Sequence, residues 1–273
     1  KKLHPEEKKS LNREIEILES IDHPCVMKCH EHFETKDEVL MVLELLEGGE
    51  LFQRIVDRNQ YSERDAASAL KNVFETLKFL HGKDIVHRDL KPENLLLVSK
   101  TDDIKLKLAD FGFATYATEP LTEGCGTLLY VAPEILLKQE YWTAPDMWSM
   151  GVITYILLCG YPPFFDPDQD RLAKKVVRGK YKFRDEDWAD ISDDAKNFVR
   201  ALLQRNPEDR MTAEEALEHP WIKNLAAVPD DQMDAEKLRV FLAKERMRKA
   251  VTAVKAINKL QNLNLSLALE DDL

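Results

Sequence analysis

The pattern of apolar and polar positions predicts a helix and two strands at the start of the chain. Residues 6–21 are mostly charged, and their apolar members recur at helical spacing, which is typical of an amphipathic helix. Residues 25–33 and 38–46 have strand-like patterns, and the second is an almost continuous apolar run. Gly48-Gly49 ends this run, so a small α+β unit is expected here.

Beyond residue 60 the periodicity is mainly helical. Ser62 with Asp65, and Thr212 with Glu215, have the spacing of capping boxes, so each pair predicts the start of a helix. Residues 110–134 predict a long loop rich in Gly and Thr. Short strands are predicted at 85–86, 95–98 and 106–108, and helices near 145–159, 169–178, 193–204, 213–218 and 234–262.

Composition excludes several classes of protein. With 44% hydrophobic and 33% charged residues, the 273-residue chain can form a packed core. A net charge of −11 argues against a nucleic-acid partner. The apolar run 150–159 is too short for a membrane span. Four cysteines without a Cys-x-x-Cys pair indicate reduced thiols, and we expect a cytoplasmic protein, with the nucleus as a second compartment.

Three short segments carry groups that suit phosphoryl transfer from ATP. Such a reaction needs oxygen ligands for a divalent metal, which Asn94 and Asp110 supply, and a carboxylate near the incoming hydroxyl, which Asp89 supplies. Lys91, two residues beyond Asp89, is expected on the same side of an extended loop. The segments are His87-Arg88-Asp89-Leu90-Lys91-Pro92-Glu93-Asn94, Asp110-Phe111-Gly112 and Ala132-Pro133-Glu134.

In order and spacing these segments form the protein-kinase signature, and the chain resembles Ser/Thr protein kinases of the calcium/calmodulin-dependent group. The resemblance implies an α+β, two-lobed kinase fold: a partial N-lobe at 1–46, a mainly helical C-lobe at 47–223 and an autoinhibitory, calmodulin-binding-like tail at 224–273. It rests further on Glu47-Gly48-Gly49-Glu50-Leu51-Phe52, Asp146-Met147-Trp148-Ser149-Met150-Gly151, Gly160-Tyr161-Pro162-Pro163-Phe164-Phe165 and His219-Pro220-Trp221-Ile222.

The resemblance also implies roles for the residues of the three segments. Asp89 would be the catalytic base, and Lys91 would steady the γ-phosphate. Asn94 and Asp110 would bind Mg²⁺, so ATP and Mg²⁺ are the expected cofactors.

Further roles concern the nucleotide and buried pairs. Glu14 would pair with the ATP-binding lysine of the family. Leu43 would be the gatekeeper, and the backbone of Glu44 and Leu46 would hold adenine. The family also implies two structural roles: a Glu134–Arg210 pair, and Asp146 as the brace of the catalytic loop.

Substrate preference depends on Glu50 and Glu93, which match positions that read a basic residue upstream of the phosphoacceptor. Two carboxylates suit one guanidinium. Glu50 could instead contact the ribose or simply be solvated.

The N-lobe departs from the family pattern. The nine glycines form no Gly-x-Gly-x-x-Gly loop, and no Val-Ala-x-Lys strand precedes Glu14. Two explanations remain: a chain lacking an upstream segment, or a natural truncation that acts as a scaffold. Retention of all four proposed catalytic and metal residues fits the first better, although the chain as written is expected to bind ATP poorly.

Two regulatory elements are predicted. In the activation segment, Arg88 is a natural phosphate partner, and either phosphorylated Thr122 or the acidic Glu123 could bind it. In the tail, residues 244–260 form a basic helix, and its apolar stripe resembles a calmodulin target. A structural helix packed on the C-lobe, or a membrane-surface helix, would give a similar pattern. The stripe consists of Met247, Val251, Val254 and Leu260.

The sequence therefore predicts a calcium/calmodulin-regulated enzyme that transfers phosphate from ATP to protein Ser/Thr residues. Its expected partners are calmodulin and a protein substrate with an upstream basic residue. The alternative is a truncated, non-catalytic pseudokinase or binding module.

Overall fold

The description that follows covers residues 5–35 and 38–252 of a computed structural model, with side chains from residue 8 onward. The first part of the chain is a helix against a two-stranded sheet. Helix α1 spans Pro5–Ser20, and strands β1 (Cys29–Glu34) and β2 (Val39–Leu43) pair antiparallel. The helix packs on β1 through a buried stripe that includes Ile17 and Leu18, as its periodicity predicted.

The two strands are shorter than predicted. Pro24 and Cys25 form a turn, and Val26 makes one parallel bridge to Leu108 before the strand begins at Cys29. After Leu43 the chain leaves the sheet, so residues 44–46, which include Leu45 and Leu46, form a connection instead of strand.

Two antiparallel ladders place the sequence motifs beside each other. Following β3 (Gly49–Glu50), α2 (Leu51–Arg58), β4 (Gln60–Ser62) and α3 (Glu63–His81), the chain forms four more short strands. The inner pair of these is β6 with β7, and the outer pair is β5 with β8. The intervening loops, 87–94 and 109–114, therefore lie side by side. The four strands are β5 (Ile85–Val86), β6 (Leu95–Leu97), β7 (Leu106–Leu108) and β8 (Thr115–Tyr116).

The remaining helices surround one buried helix, α5. Every residue of α5 from Pro145 to Cys159 is buried, which agrees with its mainly apolar sequence. Helices α3 and α8 pack against it. The helices of this region are α4 (Pro133–Leu136), α5 (Ala144–Cys159), α6 (Gln169–Arg178), α7 (Asp185–Trp188), α8 (Asp193–Leu202), α9 (Ala213–Glu218) and α10 (Pro220–Lys223). The expected α+β class is confirmed.

Both predicted capping boxes are present. The Ser62 hydroxyl accepts a hydrogen bond from the Asp65 amide while the Asp65 carboxylate accepts one from the Ser62 amide, and Thr212 and Glu215 do the same at α9. Each box satisfies amide groups that a helix start would otherwise leave without partners.

The tail is joined to the rest of the fold by a strand and a helix. Strand β9 (Gln232–Asp234) pairs with β4, and helix α11 follows over residues 236–252. The helix thus begins two residues later than predicted, because Gln232–Asp234 is used in the sheet. Ala235, just before the helix, and Leu238 and Phe241 in its first turns are buried.

Candidate active site

The loop that carries Asp89 is held from behind by Asp146, at the start of α5. The buried Asp146 carboxylate accepts hydrogen bonds from the amides of His87 and Arg88 at 2.9 Å each, and lies 3.0 Å from His81 Nε2. Burial alone would raise the pKa of Asp146, but the contacts with His81 and His87 lower it below its usual value. Asp146 is therefore an ionised brace, as the family resemblance implied.

Asp89 is held by the activation segment and by Lys91. Its Oδ1 accepts hydrogen bonds from the Thr127 amide at 2.9 Å and hydroxyl at 2.8 Å. Its Oδ2 accepts one from Lys91 Nζ, which also lies 3.6 Å from Asp110 Oδ2. Burial alone would lower the pKa of Lys91, but the hydrogen bond that it donates to Asp89 and the charges of Asp89 and Asp110 raise it. The lysine is a permanent cation between two carboxylates.

Asn94 and Asp110 present oxygen ligands on the same side of the loops. The buried Asn94 donates its Nδ2 to the Asp89 carbonyl at 2.9 Å, which leaves its Oδ1 for a metal ion. Asp110 adopts a left-handed backbone with φ of 63°, and its side chain is 47% exposed. A non-glycine residue in this conformation is uncommon, and such strain is concentrated at functional sites.

This donor set suits Mg²⁺. A carboxylate and a carboxamide oxygen are hard ligands, and Mg²⁺ is commonly held by one or two protein groups together with substrate phosphates. Within residues 5–35 and 38–252, no cluster of three or more His, Cys, Asp and Glu side chains could hold a metal by itself. The residues present therefore fit a metal ion that arrives with its nucleotide.

His87 links the two motif loops. Its Nε2 lies 3.1 Å from the Ala109 carbonyl, its Nδ1 accepts a hydrogen bond from the Asp89 amide at 3.3 Å, and its ring packs edge-on against Phe111. Burial lowers the pKa of His87. The contacts of the two ring nitrogens fit a neutral imidazole, which donates from Nε2 and accepts at Nδ1.

Glu14 points toward the second motif loop from α1. Its carboxylate lies near Gly112, whose carbonyl accepts a hydrogen bond from Ser10 Oγ at 3.2 Å. Burial, and then the charge of Asp110, raise the pKa of Glu14. No lysine or arginine of the described part of the chain forms an ion pair with it, which agrees with the absence of a family-type lysine strand in this sequence.

The segment expected to hold adenine follows β2. Leu43 and Leu46 are half-buried, and the Glu44 amide donates to the Lys28 carbonyl at 2.9 Å. The Glu44 carboxylate accepts hydrogen bonds from Lys107 Nζ and the Lys28 amide, each at 2.6 Å. Lys107 was missed in the sequence reasoning, because a lysine that alternates with two leucines in a short strand is expected to face solvent.

Glu123, not Thr122, is the residue that contacts Arg88. The Arg88 guanidinium, with its side chain 5% exposed, donates to Glu123 Oε2 at 3.0 Å and to the Phe113 carbonyl at 2.6 Å. Tyr141 Oη donates to the Glu123 carbonyl at 2.7 Å. Thr122 is exposed.

The pair implied between Glu134 and Arg210 is present. The guanidinium donates to both carboxylate oxygens, at 2.6 and 3.0 Å, and both side chains are buried. Such a bidentate pair fixes the end of the activation segment to the loop before α9.

The tail helix contacts the predicted substrate-reading carboxylate. Lys249 Nζ donates to Glu93 Oε1, while Glu93 Oε2 is buried with no partner within the described residues. Glu50 is half-buried on β3, which packs against the turn Pro92–Asn94 that carries Glu93. The structure thus brings Glu50 and Glu93 to the same region, and Lys249 reaches it from the tail.

Half of the predicted apolar stripe lies within the described tail helix. Met247 is 68% exposed and Val251 is 45% exposed. Both side chains are therefore accessible to solvent. Val254 and Leu260 lie outside the described residues.

Comparisons with known proteins agree with the fold and the motifs. A model of the protein kinase domain matches residues 1–222. The chain is 44% identical over 260 residues to calcium/calmodulin-dependent protein kinase type 1 of Caenorhabditis briggsae, which covers 94% of this chain and 73% of the relative. The corresponding protein of Caenorhabditis elegans is 43% identical over 260 residues, covering 94% and 75%.

A fungal relative gives a similar result. The calcium/calmodulin-dependent protein kinase cmkA of Emericella nidulans is 40% identical over 263 residues, covering 95% of this chain and 63% of the relative. Among the residues that the structure describes, no helix has the length and apolar character of a membrane span. The kinase motifs, the two-lobed fold and these matches agree, and the chain belongs to the protein kinase family, within its calcium/calmodulin-dependent serine/threonine group.

Proposed function

We propose that this protein transfers the γ-phosphate of ATP to serine or threonine residues of a protein substrate. The observation that carries the proposal is the position of the Asp89 carboxylate between Thr127 and Lys91, beside the oxygen ligands Asn94 and Asp110. A bound Mg²⁺ would neutralise charge on the phosphates. Asp89 would orient the substrate hydroxyl and accept its proton, and Lys91 would hold the transferred group.

The catalytic assignment is favoured over a non-catalytic binding module. A scaffold has no chemical need for Asp89, Lys91, Asn94 and Asp110 together, and all four are present with their side chains on one side of the loops. The relatives named above are also all described as kinases.

We infer that the preferred substrate carries a basic residue before the phosphoacceptor. Glu93 supports this, because one of its oxygens is buried without a partner in the described structure and the other accepts a lysine from the tail. A buried carboxylate oxygen without a donor is unfavourable, so a substrate guanidinium that binds both oxygens would be stabilised.

We further propose that the tail helix is autoinhibitory and that calmodulin releases it. Lys249 is bound to the Glu93 carboxylate, which the substrate would use. Met247 and Val251 remain exposed as apolar anchors on a basic helix, which is how helix-in-groove partners of calmodulin are recognised. Calcium sensitivity would come from calmodulin, since this sequence contains no EF-hand loop.

The activation segment is proposed to be held by Glu123 without phosphorylation. Arg88 already has a carboxylate partner at 3.0 Å, and Leu121 pairs with Tyr141 through backbone hydrogen bonds of 2.9 Å in both directions. Glu123 thus supplies the negative charge that a phosphate would otherwise bring to Arg88. We also propose action in the cytoplasm, with the nucleus as a second compartment, which four free thiols support.

The direct test is phosphate transfer by the 273-residue chain. The assay would contain Mg²⁺-ATP and a peptide with arginine three residues before serine, with and without calcium-calmodulin. Asp89→Asn is the control, and a peptide with alanine in place of the arginine tests recognition by Glu93. Transfer that requires Asp89 and the arginine supports the proposal. Transfer equal in the Asp89→Asn variant, or directed to tyrosine, would contradict it.

A further inference from the structure

A large cavity lies between the tail helix and the C-terminal lobe, away from the catalytic loop. Its volume is about 820 Å³, within the usual range for small-molecule sites of roughly 300–1,000 Å³. Helix α11 forms one wall, and the end of α5 with the segment leading to α7 forms the other. The apolar surface comes from Tyr155, Tyr161, Phe164, Phe165, Val240 and Phe241.

This surface offers ring faces and little hydrogen bonding. Tyr155 Oη donates to the Lys182 carbonyl at 2.7 Å, and Tyr161 Oη donates to Asp187 at 2.7 Å. Tyr181 is the third tyrosine of the wall, and its hydroxyl has no partner within the described structure. A peptide backbone buried here would find few groups for its N–H and C=O, at a cost in free energy. A hydrocarbon chain has no such requirement.

Two apolar side chains are exposed on facing walls of the cavity. Phe165 is 52% exposed on the C-lobe side and Val240 is 41% exposed on the tail helix. A ligand between them would remove both from water and would contact the helix and the lobe at once.

The rim is strongly basic on an acidic protein. Seven lysines and arginines line the cavity against two carboxylates, in a chain with a net charge of −11. The two carboxylates, Glu236 and Glu245, already form ion pairs with Arg239 and Arg248. Four of the cations have no carboxylate partner within residues 5–35 and 38–252; they are Arg178, Lys180, Lys182 and Lys244.

We propose that this cavity binds a free long-chain fatty acid, with its acyl chain against the aromatic wall and its carboxylate among the basic side chains of the rim. The unpaired cations supply charge complementarity, and the guanidinium of Arg178 suits a carboxylate in particular. Because the ligand contacts α11 and the C-lobe together, it binds the docked tail more tightly than the released tail. Binding therefore shifts the population toward the docked tail.

Binding itself does not depend on catalysis, whereas its consequence for regulation rests on the proposed autoinhibitory role of the tail. The test therefore measures binding without ATP. Oleate, kept below its micelle concentration, is titrated into the full chain by calorimetry. One saturable site is expected. Methyl oleate, which lacks the charge, and octanoate, which lacks the chain length, are expected to bind at least about tenfold more weakly.

Paired variants locate the site. Lys180→Glu and Phe165→Ser should each weaken oleate binding by about fivefold or more. Lys174→Glu is the matched control, because Lys174 is also exposed beside this region but does not line the cavity. The affinity of this variant for oleate should equal that of the parent chain. Circular dichroism verifies that each variant is folded.

Hydrogen exchange of residues 236–252 tests the effect on the tail, and oleate should slow it severalfold. Unsaturable binding, or equal binding by the Lys180→Glu and Lys174→Glu variants, would overturn the proposal. So would an acidic peptide that competes for the site and binds more tightly than oleate. If binding is confirmed but exchange is unchanged, the bridging role is overturned. None of these outcomes depends on whether phosphate transfer is observed.

Discussion

Lys249 of the tail helix forms an ion pair with Glu93, 156 residues earlier in the turn that follows Asp89. Both side chains are partly exposed, at 55% and 29%, so the pair contributes no more than an ordinary surface salt bridge, about 0.2–1 kcal/mol. Its importance lies in its position, since it places a tail cation where we propose that a substrate cation binds.

Lys249→Glu should therefore open the tail only slightly. We expect a two- to fivefold increase in the rate at which a protease cleaves the tail helix, which corresponds to about 0.4–1 kcal/mol. The reversed pair, Lys249→Glu with Glu93→Lys, should restore protection. A double variant that is cleaved as fast as the single one would show that this contact does not hold the tail.

Gly160→Ala should release the tail more strongly. Gly160 has φ of 81°, and a Cβ there would lie 2.5 Å from Lys237 Cβ and 2.8 Å from the Leu238 amide nitrogen. Gly179→Ala is the control, because Gly179 also has positive φ, 64°, but its nearest neighbour would lie 3.4 Å away.

Both variants carry the backbone strain of about 1 kcal/mol, so the comparison isolates the contact with the tail. Hydrogen exchange over 236–252 should rise by an order of magnitude or more in Gly160→Ala and little in Gly179→Ala. Equal hydrogen exchange of residues 236–252 in the two variants would contradict the close packing of the tail helix against Gly160.

Glu123→Gln should loosen the activation segment, because Arg88 would lose its charged partner in a site where the guanidinium side chain is 5% exposed. The loss of a charge-assisted hydrogen bond lowers stability by about 1.5–3 kcal/mol when the remaining group is buried. We expect a loss at the lower end of this range, because the Glu123 side chain itself is 70% exposed.

Thr122→Ala is the matched control and should leave exchange in the segment unchanged. Mass spectrometry of the protein purified from its own cells would show whether Thr122 is phosphorylated. Loosening by Thr122→Ala but not by Glu123→Gln would assign the role to the threonine.

Removal of Arg210 should destabilise the whole lobe. Its ion pair with Glu134 is fully buried, and Arg210→Ala would leave that carboxylate without a partner. We expect the free energy of unfolding to fall by about 3–5 kcal/mol. Lys78→Ala removes one partner of the exposed Lys78–Glu214 pair and should cost no more than about 1 kcal/mol. Urea unfolding measures the stability of both variants. Similar losses of stability in the two would contradict a large contribution from the buried ion pair.

Acid should destabilise the fold through histidines that are partly or fully buried, of which the half-buried His219 offers the cleanest test. Its Nδ1 accepts a hydrogen bond from the Trp221 amide at 3.3 Å, which a protonated ring could not do, and burial lowers its pKa below 6.5. Below pH 6.5 the unfolded chain therefore binds a proton that the folded protein does not, so stability falls as pH falls.

His219→Asn keeps a hydrogen-bond acceptor at this helix start but removes the titration. The stability of the variant should fall less steeply between pH 6.5 and 5, by up to about 1.4 kcal/mol per pH unit. His30→Gln, at an exposed position, should not alter the slope. If the stability of the parent protein and that of His219→Asn fall equally steeply with pH, the pKa of His219 is not lowered in the folded protein.

Features that depend on neighbouring residues in sequence were predictable. The capping boxes at Ser62 and Thr212 were predicted correctly because their two partners lie three residues apart. The position of Lys91 on the same side as Asp89 followed from the alternation of an extended loop. The strands at 85–86, 95–98 and 106–108 were also found within one residue of their ends, since the first two are short apolar runs and the third alternates two leucines with a lysine.

Contacts between distant segments were not predictable from spacing. The strand Gln232–Asp234 has no strong β pattern, and it forms because Gln60–Ser62 offers a free edge. The close approach of Gly160 to Lys237 was likewise invisible, since nothing near either residue in sequence indicates the other. The choice between Thr122 and Glu123 at Arg88 required side-chain positions, because adjacent residues of a loop point in different directions.

The exposed Met247 and Val251 have a consequence for the order of events in the calmodulin-dependent activation that we propose. Both anchors face solvent while the helix is docked, so calmodulin can capture the closed protein first and displace the helix afterwards. The observed activation rate then rises in proportion to calmodulin concentration before it levels off at the displacement rate. A protein whose anchors were buried would instead wait for spontaneous opening, and more calmodulin would not speed it.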